Sequence, residues 1–220
     1  FTHAPAVELA SRLLPLLPGN MSKAFYSDNG STSVEIALKI ALQYWHNQGV
    51  PKIKIICFKN SYHGDTFGAM SAAGRNEFNK PFWHHLFEVE PIEAPTNGRE
   101  DASLSQLQSI VKQHKVACFI FEPLVLGSGG MIMYSPQGLN CLIQCCKEYQ
   151  VLTIADEVMT GFRVAFGGAQ ALYGIGRIYA AKGKRESAAE NFSKAIRFEK
   201  DPAKKNAIMN ALFASGQTGD

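Results

Sequence analysis

Three short apolar runs constrain this chain more than anything else in it. Residues 53–58 read I-K-I-I-C-F, residues 116–121 V-A-C-F-I-F and residues 151–155 V-L-T-I-A. The last two are apolar enough to read as strands buried on both faces, as in a parallel sheet between helices. All three stop abruptly, at K-N-S-Y-H-G-D, at Glu122-Pro123 and at Asp156-Glu157. Ligands of open α/β sheets sit beyond the carboxyl ends of the strands. Asp156 is therefore either a cap or ion-pair partner, or part of a site.

Helical patterns separate the runs. Val34, Ala37, Leu38, Ala41, Leu42 and Trp45 recur at helical offsets and form one face of a long amphipathic helix. Asp28, Asn29, Ser31 and Thr32 ahead of it are good N-terminal residues. Residues 5–17 carry Val7, Leu9, Leu13 and Leu14 and are stopped by Pro18-Gly19. Residues 104–111 and 136–149 are also helical, the second with Leu139, Leu142, Ile143 and Cys146 on one face. Residues 24–27 are a further strand candidate. Residues 75–100 are turn-rich and read as a solvated loop holding His84 and His85. Strands that alternate with helices predict an α/β fold with a mostly parallel sheet.

The stretch S-D-N-G-S-T-S at 27–33 places a glycine turn and several hydroxyls at a helix N-terminus. Free N–H groups and the positive end of the helix dipole make such a place an anion site, or else the hydroxyls only cap the helix. No G-x-x-x-x-G-K-[ST] is present, so it is not a Walker loop. Tyr62, after the first run, is either a core aromatic or a face for a planar ligand, with Gly64 leaving room. Gly127 to Gly130 read G-S-G-G, which is not a dinucleotide fingerprint.

The chain of 220 residues allows one domain or a domain with an appendage. A net charge of +3 with no basic run argues against nucleic acid, and no stretch is long and apolar enough for a membrane span. Cys57, Cys118, Cys141, Cys145 and Cys146 are odd in number and partly adjacent, the usage of reduced, buried, cytoplasmic thiols. Their spacing gives no zinc pattern, so no metal is expected. The opening F-T-H-A-P, without a Met, reads as an interior start.

Taken together, S-D-N-G-S, Y-H-G-D-T-F-G-A-M-S, E-P and I-A-D-E-V-M-T-G-F resemble the class III, fold-type I, pyridoxal-phosphate-dependent aminotransferases. T-H-A-P-A, A-L-Q-Y-W and G-G-M-I-M-Y-S-P look like the branch of that family that serves biotin synthesis. The resemblance covers residues 1–163 and implies part of the family's large domain, with pyridoxal 5'-phosphate as cofactor. It implies that Gly30 and Ser31 hold the phosphate, Tyr62 lies against the pyridine ring, Val158 presses the opposite face and Asp156 accepts the ring N–H. Glu122 would be a supporting acid. It further implies a homodimer, with amino transfer from S-adenosylmethionine to 8-amino-7-oxononanoate.

Beyond Arg163 the likeness ends. The family reads G-F-G-R where this chain has Gly161-Phe162-Arg163, and the lysine that attaches the cofactor should follow. Lys184 stands near the expected spacing, but its surroundings, A-A-K-G-K-R-E-S, do not match. Residues 164–168 read as a junction. Residues 169–202 have the spacing of a single tetratricopeptide repeat, a helical hairpin, and 203–214 start another helix. Two expectations follow: an aminotransferase domain truncated at both ends and inactive as it stands, or a non-catalytic scaffold or chimaera whose tail binds a protein partner.

Overall fold

The computed structural model describes residues 3–17, 21–77, 79–113 and 115–161, residues 186, 189–190 and 192–193, and a helix over Pro202–Gly216. Two compact units result, one of Tyr26–Met159 and one joining Phe1–Phe25 with Thr160–Asp220. In the second of these, α1 (Ala4–Leu13) gives way to a short 3-10 turn, Leu14–Leu16. Its Val7 and Leu9 are exposed. The helix expected over 203–214 is present as α6 (Pro202–Gly216). The 164–168 junction, Lys184 and nearly all of the 169–202 hairpin lie outside the described residues.

The unit Tyr26–Met159 has three layers. Its helices are α2 (Gly30–Asn47), α3 (Phe67–Ser71), α4 (Glu100–Gln113) and α5 (Pro136–Glu148). Its sheet has β1 (Lys54–Phe58), β2 (Glu90–Ile92), β3 (Val116–Phe121) and β6 (Leu152–Ala155), all parallel, in the order β2-β1-β3-β6. Side chains alternate across the pleat. Ile55, Cys57, Cys118 and Ile120 meet Val34, Leu38 and Ala41 of α2 and Ala69 of α3. Ile56, Phe58, Phe119 and Phe121 meet Leu107 and Val111 of α4 and Leu139, Leu142 and Cys146 of α5. Phe58 and Phe119 are fully buried edge to face, their centroids 5.1 Å apart. Burying each such ring contributes about 1.5–3 kcal/mol. Trp45 ties α2 to the sheet through Nε1, which donates to the Ala117 carbonyl at 2.8 Å.

This order puts β2 and β3 on opposite sides of β1. A doubly wound sheet opens a crevice at such a reversal, beyond the carboxyl ends of its strands. The helix α2 starts at that edge. Its N-cap is Asn29, whose Oδ1 accepts the Thr32 N–H at 3.0 Å while Thr32 Oγ1 accepts the Asn29 N–H at 3.1 Å. Such a reciprocal box fixes where the helix begins.

Several expectations need correction. β6 is not buried on both faces: Thr153 and Ala155 are exposed, and Leu152 and Ile154 only half-buried. Among the described residues it pairs with β3 alone, so one flank lacks a neighbour. Residues 24–27 form no strand. Phe25 and Tyr26 are exposed. The loop expected over 75–100 contains β2 and a 3-10 helix, Lys80–His85. Pro91 hid the strand, because proline donates no ladder bond and is confined to edges, which is where β2 lies. A small antiparallel hairpin, β4 (Val125–Leu126) with β5 (Ile132–Met133), brackets the G-S-G-G stretch. Cys141 is exposed, unlike the other four cysteines.

Just beyond β1, Asn60 adopts a left-handed conformation, φ 63°. A Cβ on Gly74 would fall 2.8 Å from its nitrogen, and one on Gly129 would fall 2.2 Å from its carbonyl oxygen. Two remote glycines thus close on the backbone of one residue. No helix among the described residues is long and apolar enough to cross a membrane.

Candidate active site

A cavity of about 360 Å³ opens at the carboxyl end of the sheet, within the range of roughly 300–1,000 Å³ typical of small-molecule sites. Gly30 and Ser31 reach it from the start of α2, Tyr62 and His63 from the end of β1, Glu122 from the end of β3, and Asp156 and Val158 from the end of β6. All five residues singled out from the sequence, and Glu122, therefore border one space.

The first-turn amides of a helix have no partner in its own ladder, so Gly30 and Ser31 present N–H groups at the positive end of α2. Ser31 Oγ accepts the Asp65 N–H at 3.2 Å, which leaves its own proton to donate. The two segments touch closely there. A Cβ on Gly64, whose φ is 126°, would lie 2.1 Å from Ser31 Oγ. That conformation and that contact together require glycine.

Tyr62 donates its hydroxyl to Asp65 Oδ2 at 2.8 Å, and this bond, followed by burial and the Asp65 charge, raises the phenol above its ordinary value. Asp156 sits one residue past β6, its N–H still bonded to the Phe121 carbonyl at 2.8 Å. Its side chain is 7% exposed and meets the fully buried His63, with Oδ2 2.8 Å from Nδ1. An ionised carboxylate only accepts hydrogen bonds, so Nδ1 carries the proton. Oδ1 accepts the Val158 N–H at 3.2 Å. His63 Nε2 is buried and has no hydrogen-bond partner among the described residues. Val158 is 73% exposed at the cavity mouth, and its methyl groups lie against Gly30, where a Cβ would come within 2.9 Å.

Glu122 is buried, and burial pushes its carboxyl above the ordinary value. Glu157 points elsewhere; it borders no part of the cavity, and burial raises it too.

A family model for class III aminotransferases matches residues 1–175. The chain belongs to the class III aminotransferases. It is 46% identical over 170 residues to an adenosylmethionine-8-amino-7-oxononanoate aminotransferase of Synechococcus elongatus, covering 74% of this chain and 40% of that protein. The Staphylococcus aureus enzyme of the same name is 39% identical over 176 residues, covering 73% and 39%. The chain thus spans about 40% of the length of the curated relatives it matches. Among solved structures, the Methanocaldococcus jannaschii enzyme of that name superposes with a TM-score of 0.70 at 36% identity, over 77% of this chain and 38% of that one. An amine transaminase from an uncultivated Pseudomonas species, in its PLP-bound form, gives 0.68 at 28%, over 77% and 41%.

Pyridoxal 5'-phosphate is the cofactor of this family, and the residues present fit it. The cavity is bordered by the first turn of α2, by Tyr62 and by the Asp156 carboxylate, groups whose chemistry suits a phosphate, a ring face and a ring N–H. In this aminotransferase chain, sequence reasoning passed over His63, which stands beside Tyr62 in the motif. The signal was there: a histidine just past a buried strand has little route to water, so it needs a partner inside. Ser128 and Met159 also border the cavity. Nothing in their local sequence marks them out, because chain topology alone brings them there.

Proposed function

We propose that the cavity holds pyridoxal 5'-phosphate and that the protein transfers an amino group from S-adenosylmethionine to 8-amino-7-oxononanoate, as part of a homodimer. One observation supports this reading above the others: the Asp156 carboxylate, Tyr62 and the N-terminus of α2 border one cavity of the right size. The names of the most similar relatives support the choice of substrates.

Each residue has a distinct task in this reading. The Gly30 and Ser31 amides and the Ser31 hydroxyl bind the phosphate. Tyr62 and Val158 confine the ring between them. Asp156 accepts the ring N–H in a charge-assisted bond and keeps that nitrogen protonated. His63 and the Val158 N–H hold the Asp156 carboxylate in place, and each of its oxygens keeps a lone pair for the ligand. The bound cofactor supplies an electron sink for the substrate carbon that gives up its proton. Among the described residues no lysine borders the cavity.

The test is a pyridoxal-phosphate titration of the chain followed by absorbance, then borohydride reduction and peptide mapping. Saturable binding is expected, weakened about 10-fold or more in Asp156→Asn, since a hydrogen bond to a charged group contributes about 1.5–3 kcal/mol. The map identifies any lysine that becomes attached, Lys184 included. S-adenosylmethionine added to the loaded protein should change the visible spectrum, and other amino donors should not. Absence of binding, or equal binding by Asp156→Asn, overturns the assignment of the site.

A further inference from the structure

Glu122 stands at the end of β3 and is only 5% exposed. Its two carboxylate oxygens serve different partners. Oε1 accepts the backbone N–H of Tyr62 at 3.0 Å, and Oε2 accepts that of Gly127 at 2.9 Å. Tyr62 follows β1, whereas Gly127 opens the turn of the β4–β5 hairpin, whose Ser128 borders the same cavity. The backbone of Glu122 is also held, since its carbonyl accepts the Tyr134 hydroxyl. The turn closes directly on the carboxylate: a Cβ on Gly127 would lie 3.5 Å from Oε2 and 2.2 Å from Met159 Sδ.

We propose that Glu122 is a positioning residue, a single carboxylate that holds the Tyr62 wall and the Gly127 turn at a fixed separation so that the ligand finds Tyr62 already in place. The proposal rests on reading the cavity as the pyridoxal-phosphate site. Chemistry explains why a glutamate does this and a glutamine does not. An ionised carboxylate offers an acceptor oxygen to each wall, whereas an amide, or a protonated carboxyl, has only one oxygen free of hydrogen.

The thermodynamics point the same way. Burial raises the Glu122 carboxyl even though the Tyr62 and Gly127 amides and His63 all favour its ionised form, while Asp156 adds to the rise. The titratable groups facing it are His63, from the segment after β1, and Asp156, after β6. A raised value in the folded state means that the fold binds this proton more tightly than the unfolded chain does. The stability Glu122 contributes is therefore complete below the unfolded glutamate value and lost as pH rises through the folded one. The two-sided acceptor exists only above that folded value. Stability and positioning thus move in opposite directions with pH, which a carboxyl kept only for stability would not show.

The experiment uses the full chain, ¹⁵N-labelled and without ligand, with the Tyr62 and Gly127 amide resonances followed from neutral to acidic pH. Both are expected to titrate together, with one midpoint above the ordinary glutamate range, and to lose that titration in Glu122→Gln. Pyridoxal-phosphate affinity, measured on both proteins, should be about 10-fold weaker in Glu122→Gln at neutral pH, as is typical when a residue that orients a ligand-binding group is removed. The wild-type advantage should shrink through the same midpoint on acidification. Separate midpoints for the two amides, or unchanged affinity in a folded Glu122→Gln, overturns the proposal. Should that variant fail to fold, the wild-type amide titration still decides. Joint titration with no pyridoxal-phosphate binding at any pH would support the Glu122 link and overturn the reading of the site.

Discussion

His63 and Asp156, 93 positions apart in sequence, meet at 2.8 Å with both side chains almost wholly out of water. A buried carboxyl group without a hydrogen-bond partner is costly, so this pair keeps Asp156 both oriented and partnered. Replacing His63 with Phe preserves an aromatic ring of similar size and removes the donor. About 1.5–3 kcal/mol of stability should be lost, measured by urea unfolding with an unchanged m-value. An unchanged midpoint would mean that water replaces the imidazole.

Gly64 is expected to tolerate no side chain. In Gly64→Ala the added carbon would meet Ser31 Oγ at 2.1 Å from a backbone with φ 126°. Separation of the two segments should destabilise the unit by at least ~2 kcal/mol. Pyridoxal-phosphate binding should fall with it, because Ser31 is displaced. A crystal structure of the variant with the Ser31–Asp65 contact intact would contradict this account.

Asn29 closes the capping box of α2. Asn29→Ala should lower stability by about 1 kcal/mol, and Asn29→Ser by much less, since serine caps nearly as well. Thermal unfolding of the two variants side by side measures the difference. The alanine variant should also bind phosphate less well if fraying reaches Gly30 and Ser31.

Burial raises the thiols of Cys57, Cys118 and Cys146 from 9.0 to about 12, and that of Cys145 also upward. Raised folded values mean that the unfolded chain releases these protons first. Stability from these thiols is therefore complete below about pH 9 and declines as pH climbs toward about 12. A melting temperature that falls over that window checks the sign. At neutral pH iodoacetamide should label Cys141 quickly and the other four only after denaturation, as intact-mass measurement would show.

How much of this was legible in the chain depends on what each residue answers to. Asp156 could be located because the run before it is apolar and ends sharply, and strand ends are where α/β sheets place ligands. Gly30 and Ser31 could be located because helix starts carry their own chemistry. The exposure of β6 could not be read, since it depends on which strand lies beside it and not on Val151 or Ile154 themselves. β2 was concealed by Pro91, a local signal that an edge position overrides. The two tasks of Glu122 were also invisible, because its partners Tyr62 and Gly127 come from different loops and offer only backbone N–H groups, which have no letter in a sequence.

The left-handed residue Asn60, its backbone closed on by Gly74 and Gly129, bears on how such a chain can drift. Neither glycine touches the cavity, yet any larger residue at either position pushes on the segment that leads into Tyr62. Among variants selected only for being folded, with no demand on chemistry, Tyr62 and Val158 would be free to change while glycine persisted at 74 and 129. The outline of the cavity would outlive any use made of it.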